Sequence, residues 1–123
     1  MSQAAPAPIS RPIKILVADD QPVIRTMVTR RLKEEPHFDV IGEAENGLEA
    51  VQKAEELQPD VIVLNVTMPV LDGFEAARRI RKNLPKVAIV ILSSNADKHF
   101  IKEAKKIGVK AYVAKSQANT SIG

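Results

Sequence analysis

The strongest constraint on the fold is the alternation of short apolar runs with segments of helical periodicity. Five apolar runs occupy residues 13–18, 38–44, 61–64, 87–92 and 111–114. Several of them are nearly continuous rather than alternating, which is typical of parallel strands covered on both faces. Between them, apolar residues recur at spacings of three and four, which marks one face of a helix. These faces are Ile24, Met27, Val28 and Leu32; Leu48, Val51, Ala54 and Leu57; Phe74, Ala77, Ile80 and Leu84; and Ile101, Ala104 and Ile107.

Proline and glycine positions support this order of elements. Pro22 stands at a plausible first helical position, where its missing N–H needs no partner. Gly47 and Gly73 stand where loops enter helices, and Gly108 fits a helix C-terminal cap. The sequence therefore predicts an α/β fold, an open, doubly wound sheet of five parallel strands with helices on both faces.

The length of 123 residues fits one domain with a single core. Residues 1–12 are rich in alanine and proline, so we expect a disordered tail followed by a domain over 13–123. Residues 115–123 are too few for a complete fifth helix, so we expect that helix to be short or missing. Apolar surface on the first and fifth strands would then be uncovered, which favours self-association.

Composition excludes several classes of protein. The absence of cysteine excludes disulfides and thiolate metal sites and suits the cytoplasm, the location we expect. No apolar run approaches the ~20 residues of a membrane span, so we expect no membrane association. The net charge is +3, but aromatic residues make up only 3% of the chain, too few for a base-stacking surface.

Polar residues follow the apolar runs where a ligand would bind. The carboxyl ends of parallel strands meet at one edge of the sheet, which is where such folds bind ligands. Carboxylates there suit Mg²⁺, while a hydroxyl and an ammonium suit phosphoryl oxygens. A single aspartate at a strand end is usually a cap or turn former, but the whole set is coherent. The set is Asp19 and Asp20, Asn65, Ser93 and Ser94, and Lys115.

Four segments resemble the receiver (CheY-like) domain of two-component response regulators. They are VADD at 17–20, DVIVLNVTMPVLDG at 60–73, ILSS at 91–94 and AYVAK at 111–115. The long segment that ends in Met-Pro and Asp-Gly is the most specific of the four. The resemblance extends over about residues 13–117 and implies the flavodoxin-like form of the five-stranded parallel sheet predicted above.

The resemblance implies roles for the matched residues. Asp20 would bind Mg²⁺ directly, Asp19 would bind it through a water, and the carbonyl of Thr67 would be a further ligand. Ser93 would contact phosphoryl oxygens and Lys115 would neutralise them. Tyr112 resembles the aromatic switch residue whose rotamer follows Ser93, although such a ring also packs on a sheet edge without any switch.

Asn65 stands where the family has its phosphoaccepting aspartate, which is also a metal-site position. An acyl phosphate needs a carboxylate oxygen as nucleophile, so the amide should abolish phosphorylation. The loss of one negative charge should weaken Mg²⁺ binding and relieve repulsion among clustered acids. The substitution is either natural or engineered, and the intact Asp19, Asp20, Ser93 and Lys115 favour a deliberate or recent change.

The resemblance implies a regulatory domain whose working relatives receive a phosphoryl group from a sensor histidine kinase. The segment KSQA at 115–118 is similar to regulators with a helix-turn-helix DNA-binding output, which we expect beyond Gly123. A homodimer would use the surface of the fourth helix and fifth strand, or the uncovered sheet face. The alternative is a phosphorylation-independent interaction module. A phosphatase of similar topology is disfavoured because the strand end lacks its carboxylate, and we expect no enzyme.

Overall fold

Strands and helices alternate along the whole described part of the chain. A computed structural model describes residues 11–68, 70–93 and 98–114. Its elements are β1 (Ile13–Ala18), α1 (Pro22–Lys33), β2 (Phe38–Ala44), α2 (Gly47–Leu57), β3 (Val61–Asn65), α3 (Gly73–Asn83), β4 (Ala88–Ser93), α4 (Lys98–Ile107) and β5 (Ala111–Ala114). The predictions for the tail and the last helix concern residues 1–10 and 115–123, which lie outside the described residues.

The five strands form one parallel sheet in the order β2-β1-β3-β4-β5. The predicted flavodoxin-like fold is therefore confirmed. Because β1 pairs with both β2 and β3, the strand order reverses beside it. Ala18 lies opposite Leu64, and Asn65 lies opposite Leu92. This register brings the residues that follow β1, the end of β3 and the end of β4 to the same edge of the sheet.

The core lies on both faces of the sheet, which explains why the strands read as continuous apolar runs. One face packs against α2, α3 and α4 through fully buried residues such as Leu16, Ile62 and Ile89. The other packs against α1 through Ile15 and Val63, among others. Burial of one large aliphatic side chain contributes about 1.5–3 kcal/mol, so these two layers supply the main favourable free energy of folding.

The buried stripes of α2 and α3 agree only in part with the predicted faces. α2 buries Gly47, Ala50, Val51 and Ala54, whereas Leu48, predicted on the buried face, is 39% exposed. α3 buries the equivalent stripe of Gly73, Ala76, Ala77 and Ile80. Both stripes follow the helical spacing of three, four and seven residues. They consist mainly of small residues, which allow a helix to approach its neighbours closely.

Proline and glycine stand at helix ends as expected from the sequence, and two side chains that the sequence analysis did not single out cap helix N-termini. Pro22 is the first residue of α1. Asn46 and Asp72 cap α2 and α3 by accepting a hydrogen bond from the backbone N–H three residues later, at Glu49 and Glu75. Gly108 has a φ of +87°, and its N–H donates to the carbonyl of Ala104, which confirms the predicted C-terminal cap.

An ion pair joins the chain segments at the amino edge of the sheet, opposite the predicted site. The Arg11 guanidinium donates to both carboxylate oxygens of Asp60 at 3.0 and 3.1 Å. The N–H of Lys14 donates to Asp60 Oδ2 at 2.9 Å. The hydrogen bonds from Arg11, and then that from Lys14, hold the pKa of the Asp60 carboxyl below its ordinary value. Asp60 therefore attaches the start of β3 to the start of β1.

An apolar cavity of about 430 Å³ lies beside α1 on its face of the sheet. Val28 and Leu32 of α1 line it together with strand residues such as Ile15, Val63 and Val113. It lies on the face where the sequence predicts uncovered apolar surface.

Among the helices that the structure describes, none is both long and apolar enough to cross a membrane.

Candidate functional site

Three oxygen atoms converge on the side-chain nitrogen of Asn65, the last residue of β3. Asn65 Nδ2 lies 2.6 Å from the carbonyl oxygen of Thr67, 3.1 Å from Asp20 Oδ1 and 3.5 Å from Asp19 Oδ1. Since all three partners are acceptors, the amide presents its donor atom to them. Its two hydrogens serve the two shorter contacts best, and the contact at 3.5 Å is the weakest. The side chain is only 5% exposed, so these bonds are shielded from water.

Asp19 is held by groups from three different segments. Its backbone N–H donates to the carbonyl of Ala44 at 3.0 Å, which continues the pairing of β1 with β2. Its Oδ1 accepts from the N–H of Gln21 at 2.9 Å, and its carbonyl oxygen accepts from Arg25 Nη1 at 2.7 Å. Asp19 is 2% exposed. The turn from β1 into α1 therefore has a fixed geometry at the acid pair.

Arg25 connects this turn to the neighbouring strand. In addition to its bond to Asp19, its Nε donates to Glu43 Oε1 of β2 at 3.0 Å. The Arg25 side chain is 17% exposed, and that of Glu43 is 45% exposed. Sequence reasoning missed Arg25, because a basic residue in the first turns of a helix normally faces solvent. Its partners lie six and 18 residues away, and no local pattern relates them.

The loop after β3 is closed by backbone contacts that need glycine. The N–H of Gly73 donates to the carbonyl of Val66 at 2.7 Å. A Cβ atom at Gly73 would lie 2.1 Å from the carbonyl oxygen of Asn65, and one at Gly47 would lie 1.7 Å from that of Leu71. Neither distance is sterically possible, so both positions require glycine. These contacts fix the path of residues 66–68 and hence the carbonyl of Thr67.

The structure brings four of the predicted site residues together, namely Asp19, Asp20, Asn65 and Thr67. Ser93 ends β4 directly after the partner of Asn65 and is buried, so it lies at the same edge of the sheet. Tyr112 is half-buried on β5, opposite Ile91, and packs against the core. Lys115 and Ser94 lie outside the described residues. The roles assigned to these residues from sequence stay predictions.

The donor set fits a small hard cation at this edge. Two carboxylates and a carbonyl oxygen are ligands that Mg²⁺ accepts when waters complete its shell. Within residues 11–68, 70–93 and 98–114, no cluster of three acidic, histidine or cysteine side chains could hold a metal ion. Asn65 supplies an amide beside the two acids, where a third carboxylate would complete such a cluster.

Comparison with known proteins decides the family. The model of the response regulator receiver domain matches residues 15–122. The chain belongs to this family. The resemblance seen in the sequence is thereby confirmed for the family and for the fold.

Two relatives and one solved structure show how far the similarity extends. The chemotaxis protein CheY of Listeria monocytogenes is 38% identical over 103 residues, which are 84% of this chain and 86% of CheY. The transcriptional regulatory protein LnrK of Bacillus subtilis is 36% identical over 110 residues, 89% of this chain and 50% of LnrK. The response regulator domain of Thermotoga maritima CheB superposes with a TM-score of 0.81 at 32% identity, covering 88% of both chains. The chain thus spans about half the length of its longer curated relatives.

Proposed function

We propose that this receiver domain is the regulatory part of a two-component response regulator and that Asn65 occupies its phosphoacceptor position. The observation that carries this proposal is the convergence of Asp19, Asp20 and the Thr67 carbonyl on the Asn65 amide at the end of a central strand. A carboxylate at this point would be a nucleophile beside a cation site. An amide oxygen is far less nucleophilic, so the domain does not accept a phosphoryl group and is no enzyme.

The acid pair and the Thr67 carbonyl would hold Mg²⁺, with Asp20 as a direct ligand and Asp19 acting through a water. The bound ion would neutralise the charge of an incoming phosphoryl group. In this chain the Asn65 amide hydrogens point at the same oxygens. The ion must displace the amide, and it meets one negative charge fewer than in a site with three acids. Both effects weaken Mg²⁺ binding.

The remaining site residues have roles that matter only when a phosphoryl group is present. Ser93, buried at the neighbouring strand end, would donate its hydroxyl hydrogen to a phosphoryl oxygen. Lys115 would neutralise another oxygen. Tyr112 would change its rotamer as Ser93 moves, because its half-buried ring lies on the adjacent strand. Because Asn65 accepts no phosphoryl group, the event that would move Ser93 and Tyr112 does not occur.

The partners follow from the family and from the lengths of its members. A sensor histidine kinase would bind the domain in the cytoplasm. LnrK is named a transcriptional regulatory protein, and the matched part covers only half of it. A DNA-binding output domain following the receiver fits both facts. Homodimerisation would use either the surface formed by α4 and β5 or the apolar face beside α1.

The variant Asn65→Asp tests the proposal. With acetyl phosphate and Mg²⁺, the variant should gain one phosphoryl group per chain by intact-mass analysis, and EDTA should prevent it. The unmodified chain should gain none under the same conditions. The double variant Asn65→Asp, Asp20→Asn serves as the control that keeps the new carboxylate but removes a metal ligand. Failure of Asn65→Asp to react, in a folded protein, would refute the assignment of this site.

A second candidate function is a phosphorylation-independent interaction module. The observation that favours it is that the Asn65 amide already bonds Asp20 Oδ1 and the Thr67 carbonyl, two oxygens that a cation would bind. Under this alternative, Asn65→Asp should stay unreactive and sedimentation velocity should show the unmodified chain self-associating. The proposed function predicts instead that association changes when Asn65→Asp is phosphorylated.

A further inference from the structure

We infer that Arg25 is a positioning residue for the acid pair, which sets the direction of both carboxylates toward the cation through the main chain between Asp19 and Asp20. This inference rests on the proposed magnesium site. The described hydrogen bonds of the Arg25 side chain go to the Asp19 carbonyl and the Glu43 carboxylate, and none goes to a side chain of that site.

The first step concerns the hydrogen bonds that the main chain of Asp19 makes where β1 ends. The N–H of Asp19 still follows the sheet, because it donates to the Ala44 carbonyl. The carbonyl of Asp19 instead accepts from Arg25 Nη1 at 2.7 Å, a short, charge-assisted bond. The two sides of Asp19 are thus held from opposite directions, by β2 and by α1. This arrangement fixes the peptide plane from which Asp20 projects.

The second step is the rigidity of the guanidinium group. Its Nε donates to Glu43 Oε1 while Nη1 holds the Asp19 carbonyl, and the planar fork fixes the relative positions of the two acceptors. Glu43 is anchored in turn, because its own carbonyl accepts from Lys53 Nζ of α2. Since the Arg25 side chain is largely buried, water screens these bonds less than it would at an open surface.

The third step is the consequence for the site. Asp19 Oδ1 and Asp20 Oδ1 lie 3.5 and 3.1 Å from one atom, Asn65 Nδ2. Both carboxylates reach that point only if the peptide between them keeps its present orientation. Without Arg25 this peptide can rotate and the two oxygens diverge. Loss of such supporting contacts typically lowers metal affinity by about 10-fold to 100-fold.

The competing explanation is purely structural, with the Arg25–Glu43 ion pair merely attaching α1 to β2. Two variants separate the explanations. Arg25→Met removes both bonds and keeps most of the side-chain volume. Glu43→Gln removes the charge of the ion pair but keeps a side-chain oxygen that can accept from Arg25 Nε, and it leaves Nη1 on the Asp19 carbonyl. A third variant, Arg25→Lys, keeps the charge but lacks the planar guanidinium, so it should preserve the site only in part.

The test has a metal-free and a metal-bound measurement, both on folded protein. In EDTA, Arg25→Met should exchange the Gln21 amide hydrogen about tenfold faster than the unmodified chain, since that N–H bonds Asp19 Oδ1. Mg²⁺ titration by NMR should show a Kd raised about 10-fold to 100-fold in Arg25→Met. Glu43→Gln should stay within about twofold of the unmodified chain in both measurements.

Two outcomes would overturn the inference. The first is an Arg25→Met variant whose Mg²⁺ affinity equals that of the unmodified chain, whatever happens to its melting temperature. The second is a Glu43→Gln variant that loses as much affinity as Arg25→Met, which would assign the effect to the ion pair. If neither the unmodified chain nor Asn65→Asp binds Mg²⁺, the proposed function fails and this inference fails with it.

Discussion

At the scale of single residues, Asn65 stabilises the acid pair by donating hydrogen bonds into it. The Thr67 carbonyl and the Asp20 carboxylate each accept from the same buried amide. Bonds between a neutral donor and a charged acceptor contribute more than ordinary hydrogen bonds, about 1.5–3 kcal/mol. A carboxylate at this position could donate nothing and would repel both neighbouring acids.

Asn65→Asp should therefore lower the free energy of unfolding by about 1–3 kcal/mol in EDTA. Millimolar Mg²⁺ should recover much of the loss, because an ion that binds only the folded state stabilises it. Urea denaturation followed by far-UV circular dichroism measures both effects. Gln52→Glu, the same chemical change at an exposed position of α2, should change stability by less than about 0.5 kcal/mol. Equal stability of Asn65→Asp and the unmodified chain in EDTA would contradict this account.

Val70, in the loop between β3 and α3, has a φ of +69°, which is unfavourable for a β-branched residue. Asparagine tolerates this region, so Val70→Asn should raise the free energy of unfolding by about 1 kcal/mol. Val70 is 74% exposed, which means that little packing is lost. Val23→Asn is the matched control, at 77% exposure in the first turn of α1, and should be nearly neutral. A destabilised Val70→Asn would show that the valine side chain has a role that its exposure conceals.

At the scale of elements, the starts of α2 and α3 depend on contacts between backbones. Gly73 approaches the carbonyl of Asn65, and Gly47 approaches that of Leu71. The loop after β3 is thus enclosed by two helix N-termini. Its shape is set by how closely these chains pass and by the burial of Val66 and Met68 in the core.

Gly73→Ala should cost about 3 kcal/mol of stability, because the new methyl group would meet a carbonyl oxygen that cannot move without disturbing β3. Amide shifts of Asp20, Asn65 and Thr67 should change as well. Gly42→Ala is the control: its Cβ would lie 2.8 Å from Leu57 Cδ1, the movable end of a side chain, and should cost less than about 1 kcal/mol. Denaturant unfolding measures the stability of both variants, and NMR spectra measure their amide shifts. Gly73→Ala with full stability and unchanged spectra would contradict the close contact.

The sequence was sufficient for the order of elements, because strand and helix periodicities differ so clearly. The bounds of β1, β2 and β5 are those predicted, and β3 extends by one polar residue, Asn65. β4 both begins and ends one residue later than predicted, and its last residue is Ser93. Strand pairing continues past the apolar run as long as the neighbouring backbone offers partners, and composition does not reveal this. The helix stripes were predicted in part: Val51, Ala54, Ala77 and Ile80 are buried as predicted. The remaining glycine and alanine members were missed because small residues carry weak hydrophobic signals.

The candidate site was predictable only in part, because some of its contacts form between residues that are distant in the sequence. Asp19, Asp20 and Asn65 stand at strand ends, and their meeting follows from the parallel topology. The donor direction of the Asn65 amide, the Arg25 bridge and the close approach at Gly73 depend on tertiary geometry. No spacing rule relates residues that are brought together only when the sheet forms.

At the scale of the whole molecule, the Arg11–Asp60 pair connects the N-terminal segment to the centre of the sheet. Its hydrogen bonds lower the pKa of Asp60, so the folded state binds a proton there less readily than the unfolded state. The resulting stabilisation is present above the ordinary aspartate pKa of about 3.9 and is lost as the pH falls through the lowered value.

Asp60→Asn should consequently lower stability at pH 7, and its difference from the unmodified chain should shrink as the pH falls below about 4. The effect should be modest and weaker in high salt, since the two side chains are 65% and 32% exposed. Urea unfolding across this pH range provides the measurement. Asp39→Asn, at an exposed site on β2, is the control for loss of one charge. A difference that stays constant with pH would show that Asp60 acts through something other than its charge.

β3 lies between two features, the ion pair of Asp60 and the amide of Asn65. Asp60 comes directly before its first residue, and Asn65 is its last. At about 3.3 Å per residue, their Cα atoms stand roughly 16 Å apart along a strand whose interior is buried. Perturbations at such separation normally add without coupling. Substitutions at residue 60 should therefore change the pH dependence of stability, and substitutions at residue 65 should change phosphoryl acceptance, with each effect independent of the other.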